Sequence, residues 1–139
     1  MNYLLDTCLL SEFTRKAPEP NVVRWMDSVE EEQLYLSVIS IGEIQQVIDR
    51  LPSSRRKNDL SIWLNNGLIN RFGSRTISLD ISTMLLWGSL TAKMESSGKP
   101  LPVVDALLVA SALQYNLVIA TRNVADFLPC GVRVINPWE

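Results

Sequence analysis

Residues Tyr3–Thr7, with the sequence YLLDT, decide the fold. The apolar run predicts a short buried strand, and the carboxylate of Asp6 marks its end. Leu9, Leu10 and Phe13 then recur at helical spacing, so we expect a helix directly after the strand. A strand that continues into a helix is the beginning of a βαβ unit, which predicts parallel strand pairing.

The same alternation continues along the chain. Further strands are predicted at Leu34–Ser37, Arg75–Ile77, Leu117–Ala120 and Val132–Ile135. Helices are predicted from Asn21, from Ser40 to Arg50, from Arg55 to Ile69, from Ile81 to Ser96 and from Pro102 to Tyr115. These elements predict an α/β fold with a mostly parallel sheet, and a length of 139 residues fits one compact domain.

The composition narrows the chemistry. The chain has no histidine, so ribonucleases with a His acid and base are excluded, as are Ser-His-Asp and Cys-His hydrolases. Two cysteines, Cys8 and Cys130, are too few for a disulfide framework or a zinc ribbon. We find no signal peptide and no membrane-length apolar run, so we expect a cytoplasmic protein with reduced thiols. A hydrolase of this composition would rely on carboxylates and a metal ion.

Four acids stand after predicted strands or in the first turns of the helices that follow: Asp6, Glu43, Asp105 and Asp126. In parallel α/β sheets, ligands bind beyond the carboxyl ends of the strands, where the strand order reverses. Each acid also has a purely structural explanation. Ser40 and Glu43 fit a capping box, Asp105 and Asp126 suit a helix dipole, and Asp6 suits a turn.

Carboxylates grouped at one edge of the sheet would repel one another unless a cation neutralised them. Sites rich in carboxylate oxygen suit Mg²⁺ or Mn²⁺. The four acids together therefore predict a site for a divalent cation.

Four segments resemble, in order, the signature segments of PIN-domain proteins, in particular the VapC/FitB-type toxins: Leu4–Thr7, Ser37–Ile44, Pro102–Ala110 and Thr121–Phe127. The resemblance implies a single PIN domain over residues 1–139, a three-layer fold in which helices flank a five-stranded, mostly parallel sheet. It also implies a Mg²⁺- or Mn²⁺-dependent endoribonuclease that is the toxin of a type II toxin–antitoxin system. The implied partners are RNA, a cognate antitoxin that inserts a segment at the acidic site, and a second copy in a homodimer.

The resemblance also assigns roles by position. Asp6 and Asp105 would be direct metal ligands, and Glu43 and Asp126 would complete the catalytic cluster, directly or through water. Two polar residues, Thr121 and Asn123, match positions that could orient water or phosphate. Basic residues that could position the RNA backbone are Arg56, Lys99 and Arg122.

Cys8 departs from the family, which usually has Asn at this position. A thiol is a weak donor compared with an amide, so the turn that carries Asp6 would be less well braced. We expect a small buried residue here, with a redox role as the alternative. The departure leaves open a non-catalytic PIN-like module that works only with a partner protein. A dehalogenase-like phosphatase would resemble Asp-x-Asp, which Cys8 does not match. Glu12 is expected on a solvated helix face or facing the site.

Overall fold

The computed structural model describes all 139 residues. Its five strands are β1 (Tyr3–Leu5), β2 (Leu34–Ser37), β3 (Thr76–Ile77), β4 (Val118–Ala120) and β5 (Val134–Ile135). All neighbours pair in parallel, in the order β3-β2-β1-β4-β5. The predicted α/β class and five-stranded parallel sheet are confirmed. Strands β3, β4 and β5 begin one or two residues later than predicted, because only the last two or three residues of each predicted segment pair with a neighbouring strand.

Eight helices connect and cover the strands: α1 (Thr7–Glu12), α2 (Pro20–Ser28), α3 (Val38–Arg50), α4 (Arg55–Ile62), α5 (Ile69–Phe72), α6 (Ile81–Ser96), α7 (Val103–Gln114) and α8 (Val124–Phe127). A π-helical segment, Trp63–Leu68, joins α4 to α5, so the predicted helix from Arg55 runs three residues beyond its expected end. The longest helix, α6, has 16 residues, and no helix is long and apolar enough to cross a bilayer.

Alternate residues of the strands enter separate cores on the two faces of the sheet. Leu5 and Ala120 belong to a cluster of 12 buried residues, which includes residues of α1, α2 and α3. Leu4 and Ile119 belong to a cluster of 9 buried residues, which includes residues of α7 and α8. Side chains of successive strand residues point to opposite faces, so this division follows from the strand geometry and gives the three predicted layers.

The strand order reverses beside the central strand. The chain moves from β1 to β2 and β3 on one side, and β4 then returns to the other side of β1. Residues that follow β1 and β4 are therefore neighbours at the carboxyl edge of the sheet, where such folds bind ligands.

The starts of two helices differ from the prediction. Helix α2 begins at Pro20 rather than at Asn21, and the Glu19 carboxylate caps it by accepting a hydrogen bond from the Asn21 N–H. Ser37 rather than Ser40 caps α3, since its hydroxyl accepts from the Ile39 N–H at 3.1 Å. The structural explanation of Ser40 and Glu43 as a capping box is therefore wrong.

Glu12 is buried, with 4% of its surface exposed, contrary to both expectations for this residue. Its carboxylate accepts hydrogen bonds from the Glu19 N–H at 3.2 Å and from Trp138 Nε1 at 3.2 Å, and it pairs with Arg15 at 3.0 Å. Burial opposes ionisation, but these donors together lower the pKa of Glu12. Glu12 thus ties the C-terminal segment to α1, and Trp138 packs against the body of the domain.

Glu31 links the start of β2 to the end of α5. It lies 2.8 Å from both Arg71 Nη2 and Arg75 Nη2. Hydrogen bonds from the two arginines, partly opposed by burial, lower the Glu31 pKa from 4.5 to about 2. The depressed pKa means that the ionised form stabilises the fold above the unfolded value, and that this contribution is lost as pH falls through the folded value.

We predict that Glu31→Gln destabilises the protein at pH 7 by about 1 kcal/mol or less, because the pair is partly exposed and screened. The free energies of unfolding of the variant and the parent should converge between pH 4.5 and about 2, where the parent's carboxylate is protonated. Urea unfolding across this pH range measures the difference. A deficit that stays constant down to pH 2 would contradict the assignment.

Candidate active site

Asp6 is held at the centre of the carboxyl edge. Its N–H continues the β1–β4 pairing by donating to the Ala120 carbonyl at 3.0 Å. Its Oδ1 accepts from the Thr7 N–H at 2.8 Å, which caps α1, and its Oδ2 accepts from the Thr121 hydroxyl at 2.7 Å. The side chain is nearly buried and fixed from two sides, so its remaining lone pairs have a defined direction.

Thr121 follows β4 and is fully buried. Its hydroxyl donates to Asp6 and accepts from the Asn123 N–H at 3.0 Å. Thr121 therefore orients a carboxylate instead of facing the solvent. Asn123 precedes α8 but makes no side-chain capping bond.

Cys8 lies beside the Asp6 carboxylate. Its Sγ is 3.7 Å from Asp6 Oδ2 and 3.7 Å from Thr121 Oγ1. Burial and the negative charge of Asp6 raise the Cys8 pKa, so the thiol stays protonated and serves as a weak donor. Cys8 is half-buried, where the sequence predicted a small buried residue.

Glu43 enters the site from the second turn of α3. The Thr7 hydroxyl donates to Glu43 Oε1 at 2.6 Å and lies 2.9 Å from Ser40 Oγ. Thr7 thus connects the turn after β1 to α3. Thr7 and Ser40 were not predicted as site residues. The spacing of Ser40 and Glu43, one turn apart on the same helix face, was the one sign in the sequence that they act together.

Asp105 faces the other three acids. It lies in the first turn of α7, and its pKa is raised by burial and then by the charges of Asp6, Asp126 and Glu43. A carboxylate near a helix N-terminus is normally favoured by the dipole, so the direction of this shift shows that the neighbouring charges and burial prevail. The structure therefore brings the four predicted acids to one place. Their catalytic and metal-binding roles stay predictions.

Asp126 closes the site on the side of α8. It is exposed and shares a cavity of about 270 Å³ with Asp105, Lys99 and Pro129. Lys99 is the positive side chain in the lining of this cavity.

The donor set fits a hard divalent cation. The charges that raise the Asp105 pKa all belong to carboxylates, and such oxygen donors suit Mg²⁺ or Mn²⁺. No three acidic or thiol side chains form a ready-made cage. The lack of such a cage is compatible with Mg²⁺, which usually keeps several waters and is held by one or two carboxylates.

The PIN domain family matches residues 3–127, and the chain belongs to that family. Three curated relatives align over 136 residues, which is 98% of this chain. They are plasmid stability protein StbB of Pseudomonas syringae pv. tomato at 35% identity, toxin FitB of Neisseria gonorrhoeae at 32%, and VapC ribonuclease Y4jK of Sinorhizobium fredii at 29%. The alignments cover 98%, 98% and 97% of the relatives.

The fold of a solved relative is nearly the same. The crystal structure of FitAcB from Neisseria gonorrhoeae superposes with a TM-score of 0.92 at 31% sequence identity, over 99% of this chain and 99% of that chain. The resemblance seen in four sequence segments is therefore confirmed at the level of family and fold.

We predict that Asp105→Asn stabilises the metal-free protein at neutral pH. The folded state raises the pKa of Asp105, so its ionised form opposes folding above the ordinary value, and the neutral amide removes that opposition. The gain should vanish once pH falls below the unfolded pKa, because both side chains are then uncharged. Thermal unfolding in chelator at pH 7 and at acidic pH measures it.

The matched control is Asp27→Asn, the same change at an exposed residue of α2. Equal unfolding temperatures for Asp105→Asn and its parent at pH 7 would show that the cluster is not strained.

Proposed function

We propose that the protein is a Mg²⁺- or Mn²⁺-dependent endoribonuclease and the toxin of a type II toxin–antitoxin pair. The observation that carries the proposal is the arrangement of four carboxylates, in which Asp6, Glu43 and Asp126 face Asp105 at the reversal of strand order. A relative named as a VapC ribonuclease and another named as a toxin support the chemistry and the role. Two free cysteines accord with the reducing cytoplasm, where we expect the protein to act.

Asp6 and Asp105 are the proposed metal ligands, and Glu43 and Asp126 would complete the cluster directly or through water. A bound divalent cation supplies a lowered pKa for a coordinated water and neutralises charge on the phosphate. Thr121 and Thr7 hold Asp6 and Glu43 against their mutual repulsion. Asn123 donates its backbone N–H to Thr121, so its proposed part is to support that hydroxyl.

The proposed reaction is hydrolysis of one phosphodiester. Water attacks phosphorus in line, the bond to the 3′-oxygen breaks, and the 3′-oxygen takes up a proton. The products carry a 5′-phosphate and a 3′-hydroxyl.

We predict that purified protein cleaves RNA with Mg²⁺ or Mn²⁺ and that chelator abolishes cleavage. Asp105→Asn and Asp6→Asn should each lower the rate at least about a hundredfold, since loss of even outer-shell support for a metal costs 10- to 100-fold. Asp27→Asn is the matched control and should cleave at the parent rate. End-labelled RNA resolved by electrophoresis measures the rate and the end groups.

Undiminished cleavage in chelator or in Asp105→Asn would overturn the proposal. Metal binding without cleavage of any RNA would instead support the alternative of a non-catalytic module that acts only with a partner.

A cognate antitoxin is the proposed protein partner. A solved relative is FitAB bound to a DNA fragment, and its matching chain is 30% identical to this one with a TM-score of 0.92. A cationic segment placed among the four acids would neutralise them and exclude the metal. The acidic site is therefore where we place the inserted antitoxin segment.

A second copy of the chain is the other proposed partner. Helix α6 exposes large apolar side chains, including Ile81 at 81% and Leu85 at 69% exposure. Adjacent exposed apolar residues of this kind mark interaction surfaces.

We predict that Leu85→Glu converts the dimer to a monomer without loss of folding, because a buried unpaired carboxylate at an interface costs several kcal/mol. Sedimentation velocity measures the mass. Ile62→Glu is the matched control, since Ile62 is 58% exposed on α4. A dimer that survives Leu85→Glu and dissociates on Ile62→Glu would move the interface to α4.

A further inference from the structure

A positively charged groove opens beside α4, and none of the four acids lines it. It has a volume of about 480 Å³, and we call it the basic groove. Its lining residues are Thr14, Lys16, Arg55, Arg56, Asp59, Leu60 and Trp63. Three cations and one carboxylate give the groove a net positive charge in a chain whose formal net charge is -2.

The cations of the groove are not neutralised within the protein. The salt bridges of the structure use Arg15, Arg71 and Arg75, so neither Arg55 nor Arg56 has a carboxylate within ion-pair distance. Both arginines are exposed and stand in the first turn of α4, where the helix dipole is already positive. Cations at that position cost helix stability, and a bound anion would offset the cost.

A second cavity extends the basic groove toward the acidic site. This cavity of about 200 Å³ shares Thr14, Arg56 and Trp63 with the groove and extends to Thr7. The Thr7 hydroxyl donates to Glu43 at 2.6 Å. An RNA strand that follows the groove and the second cavity would therefore arrive at Thr7, beside Glu43.

Trp63 supplies an aromatic surface in the same groove. It is half-buried, packs against the larger core on one side and lines both cavities on the other. Proteins that bind single-stranded nucleic acid combine a basic channel along the backbone with aromatic side chains on which bases stack.

We propose that the basic groove binds the single-stranded RNA that flanks the scissile phosphodiester. Lys16, Arg55 and Arg56 hold phosphates, and Trp63 stacks on a base. The inference rests on the proposed ribonuclease function and adds the path of the substrate. Unpaired cations beside an aromatic face favour RNA over an acidic protein segment, which needs no stacking surface.

The test measures binding without cleavage. The parent is Asp105→Asn in chelator, and the probe is a fluorescein-labelled 12-nucleotide single-stranded RNA followed by fluorescence anisotropy over a range of NaCl concentrations. Because this protein cannot cleave, the result does not depend on whether the wild type is a nuclease. Failure of the proposed function and failure of the groove are therefore separate outcomes.

We predict that Arg55→Gln with Arg56→Gln weakens binding roughly 20-fold in 0.1 M salt and lowers the slope of log affinity against log salt by about 1.4, since each phosphate contact to a single strand contributes about 0.7. The charge-matched control is Arg24→Gln with Arg133→Gln. Arg24 lies on α2, and Arg133 lies at the opposite edge of the sheet beside Asn116. The control should keep nearly the parent affinity.

Trp63 is tested separately from the charges. Trp63→Leu should weaken binding about tenfold without changing the salt slope, because stacking involves no counterion release. Trp63→Phe keeps an aromatic face and should retain most of the affinity. Photocrosslinking of RNA that contains 4-thiouridine to the peptide with Trp63 tests whether a base contacts Trp63 when the groove carries no substitution.

If both double variants lose RNA affinity equally, the RNA responds only to the overall charge of the protein and not to the groove, and the proposal is overturned. Unchanged RNA binding by Arg55→Gln with Arg56→Gln, together with loss of a co-expressed partner protein, would assign the groove to protein binding instead.

Discussion

Four carboxylates held at one edge of a parallel sheet repel one another, and the surrounding structure has to hold them in place. Asp6 is fixed by the Thr7 N–H and the Thr121 hydroxyl, and Glu43 by the Thr7 hydroxyl. Asp105 accepts no such hydrogen bond, and burial together with the charges of the other three acids raises its pKa. The mutual repulsion of the acids therefore strains the site, and the proposed divalent cation would relieve that strain.

The comparison with Glu12 shows that burial alone does not produce this strain. Glu12 is more buried than Asp105, but three donors surround it and its pKa is lowered. Asp105 is surrounded by acids and its pKa is raised. The two acids thus differ in role because of their neighbours: Glu12 anchors the C-terminal segment, and the half-buried Asp105 faces a site that calls for positive charge.

The sequence predicted the sheet and the place of the acids because both depend on local patterns. Apolar runs located the strands, and the rule that ligands bind at the carboxyl ends of parallel strands selected Asp6 and Asp105. It could not predict the contacts that hold the site. Thr7 and Glu43 are 36 residues apart, and Glu12 and Trp138 are 126 residues apart, so only the packed fold brings these pairs together. The Ser37 cap was missed because Ser40 and Glu43 fitted a capping-box pattern.

The most direct test of the account is anomalous diffraction from crystals of the protein soaked in Mn²⁺. The account predicts an anomalous peak among the four acids, with oxygens of Asp6 and Asp105 about 2.1 Å away and waters completing the shell. The same soak of Asp105→Asn should show no peak there. A cluster that stays free of Mn²⁺ at millimolar concentration, or a peak bound elsewhere while the cluster stays empty, would contradict it.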